Sequence, residues 1–438
     1  MGDLLESAGD LTARARTAGA SDAVAKVTVD RTVSYSWRAG RLDTATESTS
    51  RRASLSLYVD GRWSVHETTD LRPGSLDGFV RDAVALTRAL APDPDRVLPD
   101  PARYANPAAV TGLDLSDPAI PAITRENRLE WLAALEAGAQ GDDRILSVTT
   151  DVTDSATRRA MVATNGFAGE WAETSAWSGA SVTVRDVDDR RPEDSWAAGG
   201  HFVGDLVDPV LVGKRATERA LSRLGSRKGP SGAATMVVDP RAGGNLVGRL
   251  LGPATARSIQ QQQSFWADKV GKKVLSAKLT LTDDPLLPRG LASRPWDGEG
   301  VASRRLPLIE AGVPTGLYVD TYYGRKARLA PTTGGSSNRQ FALGDRDLAA
   351  WIKDVKTGIY VTSWLGGNAD GTSGDYSLGI RGFEIVDGAL GGPVGEMNVT
   401  GNLVSLFAGL VGVGNDPWPY SASYTPTLVF ENVSFSGA

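Results

Sequence analysis

The chain has 438 residues, of which 41% are hydrophobic and 23% are charged, a composition typical of globular proteins with two or three domains. Its formal net charge of -5 lacks the basic excess of nucleic-acid-binding domains, so nucleic acid is not an expected partner. Because the chain has no cysteine, disulfides, thiolate metal sites and a cysteine nucleophile are excluded.

The first part of the chain predicts a helix and antiparallel-sheet domain, assigned to residues 1–105. Apolar residues at helical spacing predict an amphipathic helix over 1–19. Two β-hairpins follow, one turning at 38–40 and one at Asp60-Gly61, and Asp-Gly between alternating segments is a strong hairpin signal. With a second helix over 72–90, the order is predicted as helix, four strands, helix.

Two breaks divide the rest of the chain. The proline-rich segment 91–107 is predicted as a linker, because proline disrupts regular structure, and a glycine-rich break follows at 225–232. The central α+β domain, residues 106–226, is predicted to hold a helix near 123–139, strands at 144–154, 157–164 and 168–185, and a helix at 207–225. Residues 227–438 are predicted as a strand-rich C-terminal domain. The predicted fold class is α+β.

The sequence shows no export or membrane signal. The first 20 residues include acidic side chains and no apolar core, unlike a secretory signal. The longest apolar run, at 403–414, is shorter than the ~20 residues that a membrane helix needs. We therefore expect a soluble, cytoplasmic protein with no membrane partner.

Common catalytic motifs are missing from the sequence. The two histidines, His66 and His201, have no second ligand at the spacing of H-E-x-x-H, and His66 is predicted to face solvent from a strand. The stretch "GGNLVGRLLG" lacks the Lys-Ser/Thr pair of a phosphate loop. No G-x-S-x-G nucleophile elbow is present.

Several carboxylates lie beside glycine or proline in predicted loops: Asp283, Asp284, Asp297, Glu299 and Asp375. A hard-cation site would need about six converging oxygens. Carboxylates in such loops are mostly turn formers, and we favour that interpretation. The charge run at 185–194 is predicted as a solvated loop.

The segment "SIQQQQSFW" is unusual because four consecutive glutamines precede two aromatic residues. The residues are Gln260, Gln261, Gln262, Gln263, Phe265 and Trp266. The glutamines could line a polar groove or form an exposed helix face at a subunit contact, and both interpretations stay open. Because interfaces are enriched in aromatic residues, Phe265, Trp266 and Tyr376 are predicted as anchors toward a partner or peptide channel. A core position for Trp266 is the alternative.

Three C-terminal stretches point to one family by their order and spacing. They are "LTDDPLLPRGLASRPWDGEGVASRRLPLIEAGVPTGLYVDTYYGRKA", "GIYVTSWLGGNADGTSGDYSLGIRGFEIVDGAL" and "GNLVSLFAGLVGVGND". With them, the chain resembles the TldD/TldE (PmbA) family over about residues 20–438. That family is associated with metal-dependent peptide hydrolysis and peptide maturation.

The resemblance implies that the metal motif of the TldD branch, H-E-x-x-x-H, falls on Gly244, Asn245 and Arg249 of this chain. Glycine has no ligand atom, asparagine cannot act as a base near neutral pH, and arginine stays protonated and would repel a cation. The downstream cysteine of that branch is missing too. The chain therefore resembles the TldE/PmbA branch, with no catalytic residues and no metal of its own.

The resemblance further implies a non-catalytic subunit that pairs with a TldD-like chain carrying H-E-x-x-x-H. The partner would hold the metal, zinc or iron, and this chain would shape the chamber and hold extended peptide, to whose backbone edge strands can pair. One alternative is a stand-alone hydrolase with a site built from Arg249, Asp297, Glu299 or Asp375. Another is a homodimeric peptide-binding protein. General peptide degradation and maturation of a dedicated peptide product both stay open.

Overall fold

The computed structural model describes residues 4–437, so residues 1–3 of the first predicted helix lie outside the described part. The elements before residue 225 are α1 (Leu4–Thr17), β1 (Asp22–Arg38), β2 (Arg41–Val59), β3 (Arg62–Thr68), α2 (Pro73–Arg88), α3 (Arg125–Gly138), β4 (Ile145–Ala163), β5 (Ala168–Val184), β6 (Glu193–Gly200) and α4 (Pro209–Leu221).

The elements of the C-terminal part are mostly short strands. They are β7 (Gly232–Val238), α5 (Pro240–Leu251), α6 (Ala256–Gln260), β8 (Leu281–Asp283), β9 (Leu306–Glu310), β10 (Val313–Pro314), α7 (Thr321–Ala327), β11 (Arg339–Phe341), α8 (Leu348–Asp354), β12 (Thr357–Ala369), β13 (Asp375–Val386), β14 (Ala389–Asn402), α9 (Leu403–Ala408), β15 (Leu410–Val413), β16 (Ser423–Tyr424) and β17 (Leu428–Ser436).

One antiparallel sheet runs through both predicted N-terminal units. Its strand order is β3-β2-β1-β4-β5-β6, because β1 pairs with β2 on one side and with β4 on the other. Alternate residues of the first strands, such as Leu55 and Leu57, form a core with α1 and α2. A separate core joins α3 and α4 to β4, β5 and β6. The two units are therefore joined along β1 from Val24 to Arg38.

Long strands account for two corrections to the predicted elements. The first unit has three strands, because the 19 residues of β2 take part in both hairpins. The predicted strands 144–154 and 157–164 are one strand, since Ser155 and Ala156 stay paired with Ser175 and Thr174 of β5. The alternation carries on through Asp154 and Ser155 with no glycine or proline to interrupt it, so the prediction of two strands was wrong.

The C-terminal part contains two further sheets. The larger has the order β14-β13-β12-β7-β17-β15, and β14 also pairs with β17, so that five of its strands close into a ring. The smaller has the order β10-β9-β8-β11-β16. The predicted α+β class, with a strand-rich C-terminal part, is confirmed. Within residues 4–437, no helix has the length and apolarity required to cross a membrane.

Candidate functional site

Helix α5 carries the three positions that the sequence aligned with a metal motif. Asp239 caps its start by accepting a hydrogen bond from the Arg241 backbone N–H (2.8 Å), and Pro240 occupies the first turn, both favourable at a helix N-terminus. One face of the helix is core, formed by Ala242, Gly243, Leu246, Val247, Leu250 and Leu251. Gly244, Asn245, Gly248 and Arg249 are left on the partly exposed face.

Two of the three aligned positions, Asn245 and Arg249, form a side-chain pair, and the third, Gly244, packs closely against Ser423. Nε of Arg249 donates to Oδ1 of Asn245 at 3.0 Å, one helical turn away. A Cβ on Gly244 would lie only 3.3 Å from Cβ of Ser423 on β16. A larger side chain at Gly244 would therefore press against the Ser423 side chain. The face holds an amide–guanidinium pair where the motif would place a base and an imidazole.

Guanidinium groups dominate the charge around this face. A Cβ on Gly248 would lie 3.9 Å from Nη1 of Arg339, whose Nε is buried without a hydrogen-bond partner in the described chain. The Arg241 guanidinium lies 5.4 Å from the Trp418 ring centroid. Burial, followed by the charge of Arg219, lowers the pKa of Arg241. A metal cation placed here would meet fixed positive charge.

The donor set of α5 does not fit the metal that the family resemblance implies. Gly244 offers no atom, Arg249 is cationic, and the Asn245 oxygen already accepts from Arg249. Across residues 4–437 no group of three or more His, Cys, Asp or Glu side chains is arranged to hold a metal ion. The side chains of α5 therefore do not form a metal site.

The glutamine row and its aromatic neighbours separate into surface and core. Gln260, Gln261, Gln262 and Gln263 are all exposed at the end of α6, whereas Phe265 and Trp266 are buried, Trp266 with 1% of its surface exposed. The Trp266 indole N–H donates to the Leu250 carbonyl oxygen of α5 at 2.8 Å. The prediction that these two rings face a partner was wrong, because they fill the C-terminal core.

The "GDYS" loop lies against the glutamine turn. The Phe265 backbone N–H donates to the Gly371 carbonyl oxygen at 2.9 Å. Asp375 is exposed and accepts from Nδ2 of Asn402 at 2.9 Å, while Tyr376 is buried. Tyr376 is thus a core residue rather than a surface anchor. The backbone after the glutamines is thus bonded to the loop before Asp375, and we call the exposed side chains of these two segments, the four glutamines and Asp375, the glutamine surface.

Asp297 and Glu299 lie elsewhere, against the first sheet. The Asp297 carboxylate accepts from the backbone N–H groups of Glu299 (2.9 Å) and Val301 (3.1 Å) and from the Thr333 hydroxyl (3.0 Å). It is a turn former, as the sequence favoured. Glu299 accepts from the Thr321 backbone N–H and hydroxyl, and burial raises the pKa of Glu299.

Both histidines are held by neighbouring groups of the protein. His66 is half-buried rather than facing solvent as predicted, with Nε2 2.7 Å from the Ser64 hydroxyl, and burial lowers the pKa of His66. His201 is buried, with its ring nitrogens 2.6 Å from the Thr174 carbonyl oxygen and 3.2 Å from that of Gly290. Their partners are a hydroxyl and backbone carbonyls, which makes them packing residues.

Sequence reasoning missed two cationic side chains, Lys26 and Arg96. Lys26 alternates with Ala25 and Val27 on β1, and such alternation ordinarily places a lysine in water. In the structure Lys26 is covered by the 297–299 loop, which lies about 270 residues further along the chain. Arg96 lies in the proline-rich linker, where no periodicity exists. Only the tertiary structure brings them together.

The fold defines a class of three-part α+β chains, and the exposed face of α5 lacks the donor set of a metal site. Three family models match this chain in order, described as PmbA/TldA metallopeptidase domain 1 (residues 23–87), central domain (118–224) and C-terminal domain (231–437). The chain belongs to the TldD/TldE/PmbA family.

Relatives and solved structures match over nearly the full length. Metalloprotease PmbA of Escherichia coli O157:H7 is 29% identical over 408 residues, covering 92% of this chain and 89% of the relative. A Bacteroides thetaiotaomicron crystal structure, described as a proposed modulator of DNA gyrase, has 36% identity and a TM-score of 0.96, covering 99% of this chain and 98% of that one. TldE of Thermococcus kodakarensis, 19% identical with a TM-score of 0.87 over 98% and 100% of the two chains, supports the fold alone.

Proposed function

We propose that this chain is the non-catalytic subunit of a heteromeric metal-dependent peptidase. A TldD-like partner carrying H-E-x-x-x-H would supply the metal, zinc or iron. This chain would complete the chamber and help to hold an extended peptide. The observation that carries the proposal is the Asn245–Arg249 pair on α5, in which Arg249 cannot ligate a cation and Asn245, bonded to Arg249, cannot act as a base.

The relatives support a place in peptide hydrolysis. The Escherichia coli relative is named a metalloprotease, and a metalloprotease TldD homologue of Haemophilus influenzae is 26% identical over 280 residues, or 58% of this chain. Chains of the two branches thus share one ancestry with this protein. That common scaffold is consistent with a pairing of two related subunits.

The glutamine surface is the part of the chain that we assign to the partner or to the shared peptide channel. Glutamine side chains both donate and accept hydrogen bonds and can therefore bind peptide backbone of any sequence. Four of them lie exposed on a segment whose following residue Phe265 is bonded through its backbone N–H to the Gly371 carbonyl oxygen, in the loop before Asp375. Because Phe265, Trp266 and Tyr376 are buried beneath this surface, they would act by fixing its shape.

Reconstitution tests the proposal directly. The purified chain is mixed with a TldD-like chain of the same organism, and complex mass and cleavage of unstructured peptides are measured. We expect co-elution and cleavage that requires both chains. A second arm replaces Gln260 and Gln261 by alanine, with the exposed Glu310→Gln as the matched control, and should weaken association or turnover.

Each other outcome assigns a different function. Peptide cleavage by the purified chain alone would establish a stand-alone hydrolase, and a stable homodimer that binds peptide without cleaving it would establish a peptide-binding protein. If the partner cleaves equally well without this chain and the two never co-elute, the subunit proposal is wrong.

A further inference from the structure

The face of the first sheet turned away from α1 and α2 carries polar side chains. Lys26 of β1 is paired with Ser54 of β2 and Met161 of β4, and Ser56 and Tyr58 continue the same face of β2. In an isolated sheet this face would be in water. Here the loop around Gly298 and the segment that begins at Arg96 partly cover it and leave an open cavity of about 250 Å³.

Two opposite charges, on Lys26 and Glu299, line this cavity. Nζ of Lys26 donates to the Gly298 carbonyl oxygen at 2.5 Å, and Glu299 directs one carboxylate oxygen to the Thr321 backbone N–H at 2.9 Å. Burial lowers the pKa of Lys26, against the charges of Asp297 and Glu299. Burial also raises the pKa of Glu299. Both groups have lost hydration that an oppositely charged ligand group would replace.

A third charge, on Arg96, is fixed in position by aromatic rings. Its guanidinium carbon lies 3.9 Å from the Trp63 ring centroid and 3.3 Å from that of Tyr322. Tyr322 is itself fixed, because its hydroxyl donates to Asp93 at 2.7 Å. None of the ion pairs formed within residues 4–437 includes Arg96. The cavity wall therefore presents an oriented guanidinium without a carboxylate partner, a geometry suited to a carboxylate ligand.

We propose that this cavity binds a small zwitterion, a free amino acid with an apolar side chain or a short peptide. Its carboxylate would bind Arg96 and Lys26, and its ammonium group would bind Glu299. The volume is adequate, because a cavity of about 150 Å³ already holds benzene. The remaining wall combines the polar groups of Ser54, Ser56 and Tyr58 with apolar side chains, among them Val24, Val65, Val97, Leu98 and Met161. This site needs neither a metal nor a partner chain, and so it goes beyond the proposed function.

Ligands that lack one charge at a time test the proposal on the wild-type chain. Isothermal titration calorimetry would compare L-leucine with L-leucinamide, which lacks the carboxylate, and with N-acetyl-L-leucine, which lacks the ammonium group. We expect one L-leucine per chain and about ten- to hundredfold weaker binding of both derivatives. Leucylglycine distinguishes the two ligand sources, since tighter binding than that of L-leucine would assign the site to peptides.

Two variants connect each ligand charge to its residue. Arg96→Met should weaken the binding of L-leucine about ten- to hundredfold and leave the binding of L-leucinamide unchanged. Glu299→Gln should weaken the binding of L-leucine and leave the binding of N-acetyl-L-leucine unchanged. Exposed Arg257→Met and Glu310→Gln are the matched controls, with thermal unfolding as the test of folding. The proposal is overturned if none of the ligands binds saturably at millimolar concentration, or if Arg96→Met and Glu299→Gln bind L-leucine as the wild type does. If a variant fails to fold, the binding of L-leucine and its two derivatives to the wild-type chain tests the proposal by itself.

Discussion

At the scale of single residues, the side chains of α5 determine what chemistry the chain can offer. Elemental analysis of the purified, dialysed protein should find well under one zinc or iron per chain, because Gly244 and Arg249 provide no ligand atoms. The double substitution His66→Gln and His201→Gln is the control for adventitious binding by the two imidazoles. Stoichiometric metal that survives this double substitution would contradict the expectation.

Trp266 has a different role from the one its sequence context indicated. Because its ring is 1% exposed and its N–H is bonded to the Leu250 carbonyl, Trp266→Ala should cost about 3–5 kcal/mol of unfolding free energy. Urea unfolding measures this loss, with exposed Gln261→Ala as a control that should change stability by less than ~0.5 kcal/mol. An equal, small effect of both substitutions would show that Trp266 is not part of the core.

The sequence predicted local roles of residues more reliably than it predicted their positions in the tertiary structure. Asp297 was correctly interpreted as a turn former, because an Asp before Gly bonds its own backbone locally. The position of Trp266 could not be predicted, since aromatic residues are common both in cores and at interfaces. Lys26 and Arg96 were missed because their cavity is assembled from segments distant in sequence.

At the scale of elements, an ion-pair cluster joins the central unit to the C-terminal ring of strands. Asp194 of β6 binds Arg219 (3.1 Å) and Arg223 (2.6 Å) of the α4 region, and Arg223 also donates to the Thr362 hydroxyl of β12 at 3.0 Å. The sequence placed Asp194 in a solvated charge run, yet its side chain is only 11% exposed. The partners come from α4 and were not visible in the local charge pattern.

The Asp194 cluster predicts a pH-dependent stability. Burial would raise the pKa of Asp194, but the charges of Arg219 and Arg223 outweigh it and hold the pKa below its usual value. Its contribution is therefore present above about pH 4 and is lost as the pH falls through the lower folded-state pKa. Asp194→Asn should cost about 3 kcal/mol at pH 7, because it leaves buried Arg223 without a counter-charge.

Urea unfolding at pH 7 and at about pH 3 measures the free energy of unfolding of the wild type and of Asp194→Asn. The difference between the wild type and Asp194→Asn should shrink at the lower pH. Exposed Asp268→Asn is a control, since its ion pair with Lys269 is at the surface and should contribute ~1 kcal/mol or less. A difference that stays constant with pH would exclude the ionised carboxylate as the source.

The outer part of β2 has only one neighbouring strand. Residues 53–59 pair with β3, whereas Arg41–Arg52 pair with β1 alone. Unpaired amides of an edge strand exchange readily with solvent. Hydrogen–deuterium exchange should therefore show faster exchange for about half of the amides in residues 41–52 than for residues 53–59. Uniformly slow exchange in both segments would show that another chain covers this edge in solution.

The elements were predicted well where the pattern was strong. The two hairpins, the helices at 72–90 and 123–139 and the strand-rich end all match observed elements. The errors concern the number of strands. An uninterrupted alternation does not show where a strand ends or where it changes from one neighbouring strand to another. The ring closed by β14 and β17 could not be predicted, since it rests on pairing between distant segments.

At the scale of the whole molecule, the shared first sheet should make the two N-terminal units unfold together. Pairing runs from Val24 with Ala163 to Arg38 with Thr149, so loss of either unit would expose the edge of β1 or of β4. Differential scanning calorimetry should show one transition for the part of the chain before residue 225. Two resolved transitions within that part, assigned by the fluorescence of variants that lack Trp63 of β3 or Trp131 of α3, would contradict this prediction.

The same shared sheet limits how such a chain can be rearranged during evolution. An exchange between relatives at the proline-rich segment would join a β1 and a β4 selected in different molecules, and their side chains would meet along every paired position. An exchange near residues 225–231, after α4, leaves the first sheet intact. Recombinant chimaeras of this family should therefore tolerate a crossover at the second break far better than at the first, so that the two N-terminal units are inherited as one block.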